Sequence, residues 1–279
     1  MSEVPTLSRR HAAGAESARG LLFTVLGEFV LPAGGSVWTS TVIGVLGRLG
    51  VEEKAARQAL MRTAADGFLR SERVGRRTRW WLTGAGSTLL TEGTARIFGF
   101  HAASAAWDGQ WLLVLARVPE TERPIRHRLR TRLAWAGLGS PSPGLWLSPH
   151  TGRLDEVRTV LDEAGVLADA QLFVGTHAGG ADLAALVRQA WDLATIEAAY
   201  EEFLTEFGDA ADDAADTLTR VTELVHVWRR FPWTDPVLPR ELLPSPWSGE
   251  SAAALFARRH AEWAAAARRQ WQSLDGISI

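Results

Sequence analysis

From Glu52 to Thr83 the chain reads EEKAARQALMRTAADGFLRSERVGRRTRWWLT, a short helical pattern followed at once by an arginine-loaded pair of strand-like segments. At about 100° per residue, Arg57, Gln58, Met61 and Ala65 fall near Lys54, while Ala56, Ala59, Leu60 and Thr63 fall opposite. One face can therefore pack and the other carries long polar side chains. Gly67 follows as a C′ residue able to take the left-handed conformation without a Cβ penalty. Two β-prone segments, Phe68 to Val74 and Arg77 to Leu82, pivot on Gly75 and Arg76 and signal a hairpin. Its basic residues are Arg70, Arg73, Arg76, Arg77 and Arg79, against the single acid Glu72. Such density repels itself unless water or a polyanion takes up the charge. A basic hairpin is equally well a solvated one, but a polar-faced helix directly before it fits groove reading with phosphate contact.

The formal net charge of −2 makes any nucleic-acid surface a local patch. It is offset by acid elsewhere, such as Asp209, Asp212, Asp213 and Asp216. Cysteine is absent, which removes disulfides, a thiolate nucleophile and Cys-type zinc sites. With no apolar run near the roughly 20 residues a bilayer requires and no leader h-region, a cytoplasmic protein without a membrane partner is expected.

Residues 1–16 carry Arg9, Arg10 and His11 without a period and read as a flexible arm, with minor-groove or phosphate contact as an alternative. Ser17 is a cap for a helix with Leu21, Leu22, Val25, Leu26 and Phe29 at helical spacing, broken by Pro32, Gly34 and Gly35. Thr39 is an N-cap for a second helix with Val42, Ile43, Leu46 and Leu49. Helix, helix, recognition helix and hairpin make a winged helix-turn-helix over 17–83. Thr83 caps a linker helix to about Phe98, in a linker segment over 84–106.

A middle domain over 107–180 opens with the apolar strand Trp111 to Val118. Pro124 starts a helix to about Trp135, then come a strand over Leu145 to Ser148, a helix through Leu154, Val157, Val160 and Leu161, and the strand Gln171 to His177. This order fits a ferredoxin-like βαββαβ unit with one strand hidden near Ala136 to Gly139. Over 181–279 only helices are predicted, near Leu183 to Trp191, Ile196 to Phe207, Ala211 to Phe231 and Ser251 to Leu274. The pass Pro232 to Pro246 is too rich in Leu and Trp to be a free linker. The fold class is thus α+β, with a helical C-terminal domain.

In order, GLLFTVLGEFV, EEKAARQALMRTAADGFL, GRRTRWWLTGAG, WDGQWLLVLARV, GLWLSP, WDL, HVWRRF, DPVLPRELLP and WSG closely resemble the PaaX family of phenylacetic-acid-degradation repressors. The resemblance runs from Ala18 to about Ala265. It implies a homodimeric bacterial transcriptional regulator with a winged-helix domain, a middle ferredoxin-like domain similar to small CRISPR-associated nucleases, and a helical C-terminal domain. In well-known members phenylacetyl-coenzyme A releases the repressor from its operator. Other members regulate other catabolic pathways, so the effector does not follow from membership.

If the recognition helix enters the major groove, Arg57, Gln58 and Arg62 reach bases or flanking phosphates. Lys54, Arg73, Arg76, Arg77 and Arg79 reach phosphate or a narrow minor groove. An Arg62–Asp66 ion pair is the alternative for Arg62. A coenzyme A thioester needs cations and an apolar slot. Arg126 and Arg130 on one helix face are one candidate site, with Arg128 and Arg132 on another face. His226, Trp228, Arg229 and Arg230, with Trp233, form a second candidate, for which a packed helix end with Arg stacked on Trp is the favoured alternative. No cofactor, metal site or catalytic residue is expected. A rival nuclease function needs acids at strand ends, yet Asp108 is the nearest to the first strand, the 7 histidines form no His-x-x-x-His pair, and no phosphate loop or G-x-S-x-G elbow occurs. An architectural DNA-binding protein would differ from a repressor by ignoring every metabolite.

Overall fold

The computed structural model describes residues 17–101, 107–119, 121–180, 182–208 and 216–276. The expected arm over 1–16 and the acids Asp209, Asp212 and Asp213 lie outside them. The chain is mixed α+β with two small antiparallel sheets, and it divides into two compact units. One is built on the described residues of Met1–Phe100, Phe203–Phe231 and Ser251–Ile279, the other on those of His101–Glu202 and Pro232–Glu250. Residues 181–279, expected as one helical domain, are shared between the two.

In the first unit, α1 (Ala18–Val25) is capped by Ser17, whose side chain accepts from Gly20 N at 3.0 Å. It runs into a π-helical turn over Leu26–Val30. A short strand that the sequence did not suggest, β1 (Ser36–Trp38), leads into α2 (Thr39–Arg48). Then follow α3 (Glu53–Ala65), β2 (Leu69–Val74), β3 (Arg77–Leu82) and α4 (Gly84–Phe98). The sheet order is β1-β3-β2. Leu22, Val25, Leu26, Val42, Leu46 and Leu60 are fully buried, so the three helices share one apolar interior. The cap of α2 is a correction. Trp38 occupies the N-cap position, and Thr39 instead donates to Thr78 O (3.0 Å) and accepts from Trp80 Nε1 (2.8 Å), tying the helix start to β3. The cap of α4 is Thr83, accepting from Gly86 N at 3.0 Å.

The second unit begins with β4 (Gln110–Leu115), α5 (Arg123–Trp135), β5 (Gly139–Ser142) and β6 (Leu145–Ser148). It continues through α6 (Leu154–Glu163), β7 (Gln171–Thr176) and α7 (Leu183–Ala190). Its sheet order is β5-β6-β4-β7, every neighbouring pair antiparallel. The hidden strand starts at Gly139, where the expected segment ends, and β4 stops at Leu115, three residues short of the apolar run. Leu112 and Val114 face Leu129 and Leu133 of α5 and Val157, Val160 and Leu161 of α6 in one cluster.

The chain then forms α8 (Leu193–Gly208), α9 (Thr217–Trp228), the short α10 (Phe231–Thr234) and α11 (Gly249–Gly276). Within the first unit Trp228 stacks on Phe256 (ring centroids 4.7 Å apart, 11° between planes), and Phe29 stacks on Trp271 (5.2 Å, 13°). In the second, the proline-rich pass is anchored by Asp235, whose Oδ2 accepts from Tyr200 OH at 2.5 Å and whose Oδ1 accepts from Val237 N at 2.6 Å. Among the described residues no helix is long and apolar enough to cross a membrane.

Candidate nucleic-acid interface

Helix α3 divides as its periodicity requires. Ala56, Ala59, Leu60 and Thr63 are buried, while Lys54, Arg57, Gln58 and Arg62 are exposed and Met61 is 62% exposed. Glu53, Lys54, Arg57, Gln58, Met61 and Arg62 line a shallow concavity of about 660 Å³. Arg57 is oriented within it, since its Nε donates to Glu53 Oε1 at 2.8 Å and its Nη2 lies 2.7 Å from the same oxygen. An exposed pair at this spacing contributes little to stability, so a phosphate or base can displace it at small cost. The Arg62–Asp66 pair is a second correction, because Asp66 binds Arg19. Gly67 turns the chain at φ +79°, a conformation that favours a residue without Cβ, and delivers it into β2.

The hairpin is buried only at its root. Leu69 is buried and the five residues after it on β2 are exposed, as are Gly75, Arg76 and Arg77. Arg73, Arg76 and Arg77 therefore stand at the tip, with Arg73 Nε donating to Gly75 O at 3.3 Å. Arg79 differs from the rest of the predicted set. It is half-buried, with its guanidinium carbon 5.2 Å from the Trp38 ring centroid and 5.0 Å from that of Trp81, and its Nε buried without a hydrogen bond. Arg70 stacks on Trp81 at 5.2 Å. Trp38 and Trp81, which these arginines lie over, are not among the residues the sequence singles out. The register of the hairpin sets Trp81 opposite Arg70, whereas the place of Trp38 needs β1, which the sequence does not suggest.

The two candidate effector sites separate sharply. On α5, Arg123, Arg126, His127 and Arg130 are exposed and line a concavity of about 310 Å³. Arg132, on another face, binds Glu163. In contrast His226, Trp228 and Arg229 are interior residues, a correction to their reading as a phosphate site. Arg229 Nη1 donates to Gly20 O at 3.0 Å, and burial pushes its pKa down to about 10. His226 Nδ1 is 2.9 Å from Thr24 Oγ1, and Trp228 Nε1 donates to Ile97 O at 3.3 Å. A charge already spent inside the fold offers no surface to a phosphate, and only Arg230 of this group is exposed. Asp108, the acid nearest β4, accepts from Gln110 N at 2.9 Å and shapes the turn before the strand.

Three family models match in succession: a PaaX-like protein model over residues 17–86, the PaaX protein central Cas2-like domain over 104–187, and the PaaX-like protein C-terminal domain over 191–273. The transcriptional repressor PaaX of Escherichia coli (strain K12) is 33% identical over 266 residues, spanning 90% of this chain and 82% of that protein. A solved structure of an uncharacterised Mycobacterium tuberculosis protein superposes with a TM-score of 0.63 at 24% identity, covering 92% of this chain and 99% of the other. At that identity the second match speaks for the fold alone.

Proposed function

The chain belongs to the PaaX family, and from that premise we propose that it is a sequence-specific transcriptional repressor of a catabolic operon, released from DNA by an aryl- or acyl-coenzyme A ester such as phenylacetyl-coenzyme A. The observation that carries the reading is the exposed polar face of α3 set directly before a basic hairpin. In this reading α1, α2, α3 and the β1-β3-β2 sheet are a winged helix-turn-helix, and β4-α5-β5-β6-α6-β7 is a ferredoxin-like domain. Arg57, Gln58 and Arg62 read base edges or adjacent phosphates, Met61 offers an apolar contact to thymine methyls, and Lys54, Arg73, Arg76 and Arg77 hold phosphates. The effector's phosphates fit Arg126 and Arg130, beside Arg123 and His127, because separated cations along a helix face match separated anionic groups. The working form is a cytoplasmic homodimer on duplex DNA, and it is not an enzyme.

The test is a mobility shift on a duplex recovered from random-sequence DNA by repeated binding and amplification, with and without a panel of coenzyme A esters. Arg57→Ala should weaken binding by about 1 to 3 kcal/mol and relax sequence preference. One ester should release the DNA from the wild-type protein, and Arg126→Ala together with Arg130→Ala should abolish that release. Failure to recover any preferred duplex sinks the repressor reading. Recovery with no response to any ester leaves an architectural DNA-binding protein.

A further inference from the structure

The face of the β1-β3-β2 sheet opposite the core carries a ladder that charge alone does not explain. The strand register sets Trp38 opposite Arg79 and Arg79 opposite Glu72, in one row across all three strands. The next row sets Ser36 opposite Trp81 and Trp81 opposite Arg70. The guanidinium of Arg79 thus lies over two indoles, and Arg70 lies over one of them. Trp81 Nε1 also donates to Glu72 Oε2 at 3.1 Å, which places the only acid of the hairpin beside these cations.

The position of this ladder matters as much as its composition. Strand β1 pairs with β3 only over Arg79 to Trp81. From Thr78 to the turn, the hairpin continues as a two-stranded ribbon, a form with little stability of its own. Arg79 therefore occupies the row at which the three-stranded sheet becomes a free ribbon. The opposite face is tied at the same level by Trp80 Nε1 to Thr39 and by Thr39 to Thr78 O.

We propose that Arg79 is a positioning residue for the wing, acting through Trp38 and Trp81 to aim Arg73, Arg76 and Arg77 at the phosphate backbone. This rests on the DNA-binding reading given above and assigns one of its arginines a different task. A phosphate-contacting arginine tolerates lysine, because lysine keeps the charge. A guanidinium held between two indoles does not, because lysine lacks the planar face.

The experiment measures affinity for the selected duplex as a function of salt, for the wild type, Arg79→Lys, Trp38→Leu and the tip variant Arg76→Ala/Arg77→Ala. Arg79→Lys and Trp38→Leu should each bind about fivefold to thirtyfold more weakly, the scale of one desolvated cation–π contact. Their salt slopes should also become shallower, although neither substitution removes a charge, because misdirected tip arginines release fewer counterions. Adding the tip substitutions to Arg79→Lys should then cost less than it does in the wild type. A role confined to fold stability would lower the active fraction and leave the slope of that fraction unchanged, which overturns the proposal. Wild-type affinity and slope in Arg79→Lys, or in Trp38→Leu, overturn it equally. If the tip variant itself binds with unchanged affinity and slope, the hairpin is no DNA contact and the positioning role falls with it. Loss in the tip variant with none in Arg79→Lys removes only the role of Arg79.

Discussion

Single residues decide how the second unit is held. Asp235 is buried, and its Oδ2 has Tyr200 OH at 2.5 Å, with His101 Nε2 3.1 Å from the same phenol oxygen. Burial and the adjacent carboxylate push the Tyr200 phenol far up, so it remains a donor at every working pH. Tyr200→Phe deletes that donor and leaves a buried carboxylate oxygen under-satisfied, which should cost about 1 to 3 kcal/mol. A urea midpoint unchanged from wild type would show the bond to be idle. His150 supplies a pH-dependent contribution in the same unit. Burial, and to a lesser degree the nearby Arg153, hold its imidazole below the ordinary 6.5, against the opposing effect of the Val237 carbonyl at 2.8 Å from Nε2. The unfolded chain then binds this proton more readily than the folded one. The contribution is fully present above pH 6.5 and is lost as the pH falls below it toward the folded value. His150→Gln, which keeps a donor for Val237 O, should flatten the fall in stability on acidification from pH 6.5. Parallel pH curves for variant and wild type would remove His150 from the account.

At the scale of elements, the start of α4 lies close against the root of the hairpin. A Cβ on Gly86 would stand 2.2 Å from Phe68 O, a backbone atom that cannot step aside. Gly86→Ala should therefore lift the start of α4 from the hairpin root and destabilise the unit by about 1 to 3 kcal/mol, measurable as a fall in melting temperature. Neighbouring Thr83 is a second probe, since Thr83→Ala removes a cap worth about 1 kcal/mol together with the bond its Oγ1 donates to Gly67 O at 2.7 Å. The elements that were legible beforehand were those written in local code. The buried face of α3, the caps Ser17 and Thr83, and the turn at Gly67 follow from periodicity and side-chain chemistry within a few residues. Strand β1 was invisible because its reason is not local. Ser36, Val37 and Trp38 are a strand only because Arg79 to Trp81 lie alongside them. The same cause hid the true role of Thr39, which bonds across to β3, and the interior role of Arg229, whose partner Gly20 is distant in sequence. An arginine looks alike in sequence whether it faces solvent or a buried carbonyl, so exposure is legible only where helical phase or the position of a turn reveals it, as for Arg57 on α3 and Arg76 at the hairpin tip.

For the whole molecule, the balance of charge sets how DNA binding must respond to salt. With a net charge of −2, the surface away from the interface repels a polyanion, so affinity depends on a few local cations. Lys54, Arg57, Arg62, Arg73, Arg76 and Arg77 are exposed on α3 and the hairpin tip. If four to six of them displace counterions, the slope of log K against log salt is about −4 to −5 for one protomer, and about twice that for two protomers on one duplex. The slope therefore counts protomers as well as contacts, and paired with the molar mass of the complex it separates a dimer on two half-sites from a monomer on one. A slope near zero on a selected duplex would mean that these six side chains do not lie against the backbone, whatever the affinity.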